Sequence, residues 1–375
     1  MTFRKKKILF FVAEDWFVCS HWLPLIAGAK MAGFDVVVVT RVNKHASKIL
    51  EMGATLLPID FSRRGLNPFV ELNAIFQLWK IYRRERPDIV HHVAMKPMLY
   101  GSLVGRFSGT PKAVNWVAGM GWLFTSTKYK ARILSSLVKS ALGWLLSKTT
   151  VIVENKDDQA ILIGSGVEEQ YIHIVRGAGV DTSAYQPTSE FDGGVPVVVL
   201  PARMLWDKGV REFVEAAGIL QSRGVSARFV LVGEPDLENP ASVQLEQLLE
   251  WQKSGVVEWW GRREDMPHVL AMSHIVCLPS YREGLPKALL EAASCGRPIV
   301  TTDVPGCREI VRDGDNGLLV GVRNADALAD ALEVLLADAA QRKRMGLRGR
   351  ERALAEFSQE QTVSQVLALY REALA

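Results

Sequence analysis

Short apolar runs alternate with amphipathic helical patterns along most of this 375-residue chain, and this alternation limits its fold more than any other feature. Apolar runs of about four to eight residues are typical of buried strands, and intervening helical patterns indicate parallel βαβ units. The pattern breaks across residues 176–195, which are rich in Gly, Asp, Ser and Pro, and then begins again. We therefore predict an α/β protein with two doubly wound parallel sheets that face a cleft.

Chain length favours the same division, because two domains of roughly 150–190 residues suit 375 residues better than one. We predict an N-terminal domain over residues 1–180 and a second domain over residues 190–357. Residues 358–375 form a further predicted helix.

The stretch 279–292 places Glu283 and Glu291 eight residues apart around the start of a predicted helix, after an apolar run that ends at Leu278. Pro286 suits the first helical position, where a missing N–H costs little. The free amides of Gly284 and Leu285 would then lie at the positive helix end, which suits an anion such as a diphosphate. Two carboxylates beside such an anion indicate ligands with hydroxyl groups, such as a ribose and a sugar.

A second motif follows the apolar run 197–200 and carries Arg203 and Lys208 before another helical pattern. Alone, these could be two surface cations on a loop, just as Glu283 and Glu291 could be solvated helix residues. The motif with Arg203 and Lys208 comes first in the chain, and Glu283 follows Arg203 by eighty residues. Together, the two motifs in this order indicate a binding site more specifically than either motif alone.

The two motifs together resemble those of family 4 glycosyltransferases. This resemblance implies the GT-B fold of two Rossmann-like domains, in which the last helix, here from about Gln359, crosses back to the first domain. It implies that the domain over residues 1–180 binds the acceptor and that the domain over residues 190–357 binds the nucleotide-sugar. It also implies that Arg203 and Lys208 bind the donor diphosphate. Glu283 would hold the donor sugar hydroxyls, and Glu291 the ribose diol. Retention of anomeric configuration is likewise implied by the resemblance.

Further stretches, residues 61–69, 202–213 and 231–240, resemble bacterial transferases that add N-acetylgalactosamine or related sugars to undecaprenyl-diphosphate-linked glycans. The resemblance implies transfer of an N-acetylhexosamine or hexose from a UDP-sugar to such an acceptor in surface polysaccharide or glycan assembly. Three alternatives stay open: a nucleotide-sugar epimerase of the same fold, a transferase to a soluble acceptor, and a non-catalytic sugar-nucleotide-binding protein.

Candidate substrate-binding residues in the first half follow two predicted strands. His91 and His92 end one strand, and Lys96 stands at the start of the next helix. We expect His91 or His92 to touch the donor sugar and Lys96 to bind an acceptor phosphate, although core histidines and a surface lysine would give the same sequence. Gly119 and Gly121 follow another strand, where small residues let a ligand approach the backbone.

No metal or other cofactor is expected. The Asp313-Gly314-Asp315 tripeptide runs into Asn316-Gly317, which is typical of a surface turn. The four cysteines form no CxxC pair and indicate reduced thiols in a cytoplasmic protein. The diphosphate charge would be neutralised by Arg203, Lys208 and the helix end.

Charge is unevenly distributed: residues 1–187 carry a balance of +10 and the remainder −6. This asymmetry indicates an anionic partner, for which we expect an anionic membrane surface and no nucleic acid. The basic amphipathic stretch 130–146 suits either a membrane interface or the domain core, and Arg83, Arg84 and Arg86 form a second basic cluster. No apolar run reaches the ~18–20 residues of a membrane span. We therefore expect peripheral attachment to the inner face of the cytoplasmic membrane.

Overall fold

A computed structural model describes residues 4–61, 67–110, 112–119, 142–188 and 194–375. The chain divides into two compact units. The first unit contains Met1–Ala178 together with Glu360–Ala375, and the second contains Gly179–Gln359. Among the described residues, no helix is both long enough and apolar enough to cross a bilayer.

The first unit is built on a seven-stranded parallel sheet with the order β3-β2-β1-β4-β5-β6-β7. Its strands are β1 Lys7–Glu14, β2 Asp35–Arg41, β3 Thr55–Pro58, β4 Ile89–Val93, β5 Ala113–Val117, β6 Thr150–Val153 and β7 Ile172–Ile174. Alternate residues of β1 enter two different cores, with Ile8 and Phe10 on one face and Leu9 and Phe11 on the other. Burial on both faces explains why the strands are continuous apolar runs rather than alternating ones.

Helices connect these strands in the right order for βαβ units. Those of the first unit are Asp15–Phe17 with the π-helical turn Val18–Trp22, Leu23–Met31, Ala46–Glu51, Pro68–Glu85, Met95–Ser108, residues 142–146, Lys156–Ile163 and the 3₁₀ turn Glu169–Tyr171. The helix Pro68–Glu85 begins where the side chain of Asn67 accepts a hydrogen bond from the Phe69 amide at 3.1 Å. Most of the predicted amphipathic stretch 130–146 lies outside the described residues.

The second unit contains a six-stranded parallel sheet with the order β10-β9-β8-β11-β12-β13. Its strands are β8 Val197–Pro201, β9 Arg228–Val232, β10 Glu258–Trp259, β11 Ile275–Leu278, β12 Ile299–Thr302 and β13 Gly317–Val320. Its helices are the 3₁₀ turn Trp206–Lys208, Val210–Ser222, Leu245–Ser254, Met266–Met272, Lys287–Ser294, Cys307–Ile310, Ala325–Ala337 and Ala339–Glu356. The predicted doubly wound α/β fold is therefore confirmed in both units.

Each sheet has one place where the chain changes its direction of travel across the strands. In the second unit this switch point lies between β8 and β11, which pair in parallel. In the first unit it lies between β1 and β4. Open α/β sheets bind ligands outside the carboxyl ends of the strands at such points. The loop after β8 carries the motif with Arg203 and Lys208, and the loop after β11 carries the motif with Glu283.

The C-terminal helix Gln359–Leu374 belongs to the first unit although it follows the second unit in the chain. Tyr370 is fully buried, and its hydroxyl is hydrogen-bonded to Nδ1 of His91 in β4. Val366 and Tyr370 join the same core as β1. The predicted return of the last helix to the first domain is confirmed.

Candidate active site

The loop after β8 carries Arg203 and ends in the 3₁₀ turn that contains Lys208. Gly209 follows with a φ of +73° and is the N-cap of the helix Val210–Ser222. A Cβ atom at this position would lie 2.1 Å from the carbonyl oxygen of Pro279. Only glycine therefore allows the loop after β8 to rest against the loop after β11.

The loop after β11 is fixed by backbone contacts on two sides. The Tyr281 amide donates to the Asp207 carbonyl oxygen at 2.9 Å. Gly306, from the loop after β12, has a φ of +78°, and a Cβ there would lie 2.1 Å from the Gly284 carbonyl oxygen. Three strand-end loops thus converge around Glu283 and Gly284.

An ion pair joins the two predicted motifs. Lys208 Nζ lies 2.6 Å from Glu283 Oε1, and the Ser280 hydroxyl donates to the same oxygen at 2.7 Å. Only 17% of the Lys208 side chain and 10% of the Glu283 side chain are exposed. A charge-assisted hydrogen bond in this setting holds both groups in place. Burial and the neighbouring Glu283 carboxylate raise the pKa of the Cys307 thiol to about 12, so this cysteine is a neutral neighbour.

Arg203 is also paired with a carboxylate. Its Nη1 donates to Asp236 Oδ2 at 2.7 Å, while 43% of its side chain remains exposed. The Asp236 amide is in turn bonded to the Ser242 hydroxyl oxygen at 3.0 Å. Sequence reasoning assigned no role to Asp236, because its pairing with Arg203 crosses 33 positions of the chain.

Glu291 lies inside the helix Lys287–Ser294 and is buried. Burial raises the pKa of its carboxyl, although Lys287 Nζ at 3.6 Å and a hydrogen bond with the Tyr185 side chain oppose that rise. Burial and the adjacent Glu291 raise the pKa of Tyr185 in turn. Tyr185 was missed because it lies in the segment that the sequence indicated as a linker.

Pro286 precedes the helix rather than starting it. Its ψ of 111° is extended, and its carbonyl oxygen accepts from the Leu289 amide at 3.0 Å, which makes it the N-cap. The prediction that Pro286 occupies the first helical position was therefore wrong by one residue. The backbone of Gly284 and Leu285 still lies immediately before the helix.

Contacts of Tyr281 with Glu212 and Arg323 stabilise the loop after β11. The Tyr281 hydroxyl donates to Glu212 Oε1 at 2.7 Å, and the Arg323 guanidinium lies 4.5 Å from the centre of the Tyr281 ring. Glu212 is buried, and its second carboxylate oxygen has no hydrogen-bond partner among the described residues. Burial and Glu212 raise the pKa of Tyr281 to about 12, so the phenol stays protonated and remains a donor.

The candidate residues of the first unit have different surroundings. His91 and His92 are fully buried, and burial lowers the pKa of His91 to about 3 and that of His92 to about 4. His92 Nε2 is bonded to the Tyr82 hydroxyl at 2.8 Å, and its Nδ1 to Asn115 Oδ1 at 2.7 Å. Because an amide oxygen can only accept, the neutral ring carries its proton on Nδ1. Both histidines are core residues without exposed surface, and their contact with a donor sugar stays a prediction.

Lys96 lies at the start of the helix Met95–Ser108, as expected. Its Nζ donates to Glu71 Oε1 at 2.7 Å and lies 5.0 Å from the centre of the Phe61 ring. Glu71 also accepts from the Tyr100 hydroxyl at 2.7 Å. Gly119 follows β5, whereas Gly121 lies outside the described residues.

The Asp313–Asp315 segment forms a turn. Asp313 accepts from the Leu319 amide at 2.9 Å, and Asp315 pairs with Arg348 at 3.0 Å. In the ranges that the structure describes, no three His, Cys, Asp or Glu side chains are grouped in a way that could hold a metal ion.

Two family models match this chain. The model described as glycosyl transferases group 1 matches residues 195–338, and the model described as glycosyl transferase 4-like matches residues 7–155. A Campylobacter jejuni protein named N,N'-diacetylbacillosaminyl-diphospho-undecaprenol alpha-1,3-N-acetylgalactosaminyltransferase is 30% identical over 93% of this chain and 94% of its own length. An Escherichia coli UDP-Gal:alpha-D-GlcNAc-diphosphoundecaprenol alpha-1,3-galactosyltransferase is 25% identical over 80% of this chain and 79% of its own.

Solved structures give the same fold. Anabaena HepE in complex with UDP and glucose superposes with a TM-score of 0.78 at 18% identity, covering 98% of this chain and 99% of that one. Sucrose-phosphate synthase from Thermosynechococcus elongatus gives 0.80 at 18% identity with the same coverage. The family models and the Campylobacter relative together show that the chain belongs to the glycosyl transferases described as group 1 and 4-like. It is a glycosyltransferase of GT-B fold.

Proposed function

We propose that this enzyme transfers an N-acetylhexosamine or hexose from a UDP-sugar to a polyprenyl-diphosphate-linked saccharide, with retention of anomeric configuration. The acceptor class is supported by the names of the Campylobacter and Escherichia relatives, and the donor by the UDP found with HepE. The relatives reported above are named as transferases, so we do not propose the epimerase alternative.

The observation that carries the proposal is the contact between Lys208 and Glu283 at the switch point between β8 and β11. Lys208 and the partly exposed Arg203 supply positive charge where a departing diphosphate needs it. The backbone of Gly284 and Leu285 adds amides at a helix start. Glu283 would accept hydrogen bonds from donor sugar hydroxyls, and Glu291 from the ribose diol.

In the proposed front-face reaction, the bond between the anomeric carbon and the diphosphate oxygen breaks with its electron pair on that oxygen. The acceptor hydroxyl oxygen bonds to the same face of the anomeric carbon, and its proton passes to the departing oxygen. Arg203 and Lys208 stabilise the negative charge that develops there, which is the charge that differs most between substrate and transition state.

We further propose that transfer needs no metal ion and that the enzyme acts peripherally at the inner face of the cytoplasmic membrane. The basic balance of residues 1–187 supports this membrane placement. Lys96 Nζ donates to Glu71 and lies over the Phe61 ring. To bind an acceptor phosphate as well, this ammonium group would have to donate to the phosphate and to Glu71 at the same time.

The direct test is transfer from a panel of UDP-sugars to synthetic undecaprenyl-diphosphate-linked monosaccharides. Mass spectrometry would identify the product, and NMR its anomeric configuration. We expect one UDP-sugar to give a product of retained configuration, with activity unchanged in excess EDTA. A UDP-sugar that is converted without acceptor would instead support the epimerase, and complete loss in EDTA with rescue by Mg²⁺ would contradict metal independence.

A further inference from the structure

A cavity of about 530 Å³ lies at the amino ends of β5 and β6 in the first unit. Lys112 directly precedes β5, and Lys148 and Thr149 directly precede β6. Ligands of open α/β sheets ordinarily bind at the carboxyl ends of the strands, near the switch point. This cavity lies at the opposite, amino ends. Its volume nevertheless falls within the range of about 300–1,000 Å³ that is common for ligand sites.

The charged residues that line this cavity are mostly cations. They are Arg106, Lys112 and Lys148, with His173 nearby and Glu372 as the one carboxylate in the described lining. Within the described ranges, no ion pair joins any of the three cations to an acid. Three positive charges therefore line one cavity that holds a single carboxylate in its described lining, an excess of positive charge that an anion would stabilise.

Cations elsewhere in the molecule are paired where an acid is near. Lys96 is paired with Glu71 at 2.7 Å, and Lys208 with Glu283 at 2.6 Å. The exposed Arg223 pairs with two acids, Asp330 and Glu333. None of the three cations that line the cavity has such an ion pair within the part of the chain that the structure describes.

Arg106 is held in place by its neighbour. Its guanidinium lies 4.6 Å from the centre of the Trp144 ring and donates to the Trp144 carbonyl oxygen. A guanidinium fixed in this way presents its remaining N–H groups in a fork that matches two phosphate oxygens. The hydroxyls of Ser147 and Thr150 add possible donors to the same lining.

We propose that this cavity binds a phosphate group through Arg106, Lys112 and Lys148. The forked guanidinium and two flexible ammonium groups suit a doubly charged tetrahedral anion. The phosphate could be part of a soluble compound or of an anionic phospholipid headgroup. Trp144, which contacts Arg106, is 53% exposed, and Phe107, which follows Arg106 in the chain, is 71% exposed, so a lipid would find apolar contacts there. This site is separate from Arg203 and Lys208, which belong to the second unit.

Calorimetric titration with pyrophosphate and co-sedimentation with phosphatidylglycerol vesicles, against phosphatidylcholine vesicles, test the proposal. Every full-length chain would carry Arg203→Gln and Lys208→Gln, so that the proposed donor site cannot contribute. The test chain adds Lys112→Gln and Lys148→Gln. The control chain adds Lys253→Gln and Lys343→Gln, two exposed lysines of the second unit with the same total charge change.

We expect the control chain to bind at least one of the two probes and the test chain to bind it about tenfold or more weakly. Loss confined to the vesicles assigns the site to a lipid headgroup, and loss confined to pyrophosphate assigns it to a soluble phosphate. Equal binding by both chains, or no binding of either probe by the control chain, would overturn the proposal. Lys112 and Lys148 are exposed, so unchanged thermal unfolding is expected, and Lys112→Gln alone serves if the double change unfolds the chain.

Discussion

The two units share one topology but fill their switch points differently. In the second unit, the loops after β8 and β11 carry charged side chains that remain partly exposed, such as Lys208 and Arg203. In the first unit, the buried Asp15 follows β1, and its Oδ2 accepts from the Asn43 and His45 amides at 2.7 and 2.9 Å. Its Oδ1 is buried without a hydrogen-bond partner among the described residues. The same architecture therefore carries partly exposed charged side chains at one switch point and buried polar side chains at the other.

The largest expected effect is on catalysis at Lys208. Lys208→Ala removes a cation that would stabilise the departing diphosphate, so we expect kcat to fall by about 100-fold or more. The measurement is turnover with the substrates found in the transfer assay, together with the melting temperature. Lys253→Ala is the matched control, since Lys253 is exposed on the helix Leu245–Ser254. Wild-type turnover in Lys208→Ala would show that the charged residues at the second unit's switch point do not act in catalysis.

A smaller effect is expected behind the site. Tyr281→Phe keeps the ring under Arg323 but removes the hydroxyl that donates to the buried Glu212, so the loop that carries Glu283 loses one constraint. We expect kcat to fall about tenfold, with KM for the donor little changed, as for a positioning residue. Tyr281→Ala should cost more than Tyr281→Phe. An equal loss of thermal stability in the two variants with unchanged kcat would make Tyr281 purely structural.

The first unit should respond through folding instead. His92→Leu leaves the Tyr82 hydroxyl without its buried partner, which costs about 1–3 kcal/mol, and removes one of the two hydrogen bonds that Asn115 Oδ1 accepts. We expect urea denaturation to reveal this loss, while turnover per folded molecule is unchanged. His268→Leu, on an exposed position, is the control. A selective fall in kcat would restore His92 as a substrate-binding residue.

The pH dependence of that variant sharpens the test. Burial depresses the pKa of His92 to about 4, whereas an unfolded histidine titrates near 6.5. Below about pH 6.5 the unfolded chain takes up a proton that the folded chain refuses, so wild-type stability falls toward pH 4. His92→Leu lacks this linkage, and its deficit in unfolding free energy should shrink over the same interval.

The smallest expected effect is a gain in stability. Burial raises the pKa of Glu291, so its charged form opposes folding, and this penalty is absent at acidic pH but present once the pH exceeds the raised pKa. Glu291→Gln should therefore raise the melting temperature by about 2 °C or more at pH 8, with no gain near pH 4. It should also weaken UDP binding. A lower melting temperature at pH 8 would show that Lys287 and Tyr185 outweigh the burial of the carboxylate.

Much of this architecture could be predicted from the sequence. The apolar runs predicted the strands because both faces of a parallel sheet are covered, and the turn residues indicated the loops that carry Arg203, Lys208 and Glu283. The same coverage explains why His91 and His92 are both buried. In an alternating strand one of them would face solvent, but in β4 both sides lie inside the core.

Partners distant in sequence were not predictable. The Lys208–Glu283 pair spans 75 positions and the Tyr281–Glu212 bond spans 69, and no local pattern encodes either. The contact of Tyr185 with Glu291 was not predicted for a different reason. A segment rich in Gly, Asp, Ser and Pro carries no pattern that indicates packing of one of its side chains against a hydrophobic core.

The return of the helix Gln359–Leu374 to the first unit sets the order in which the units can mature during synthesis. Translation completes the second unit's sequence first, while the core around His91 still lacks Tyr370. The first unit is thus completed only after residues 360–375 have been made, and until then the apolar side chains that pack against this helix lack that cover. A chain that ends at residue 359 should therefore show fast hydrogen exchange in β4 and native protection in β8.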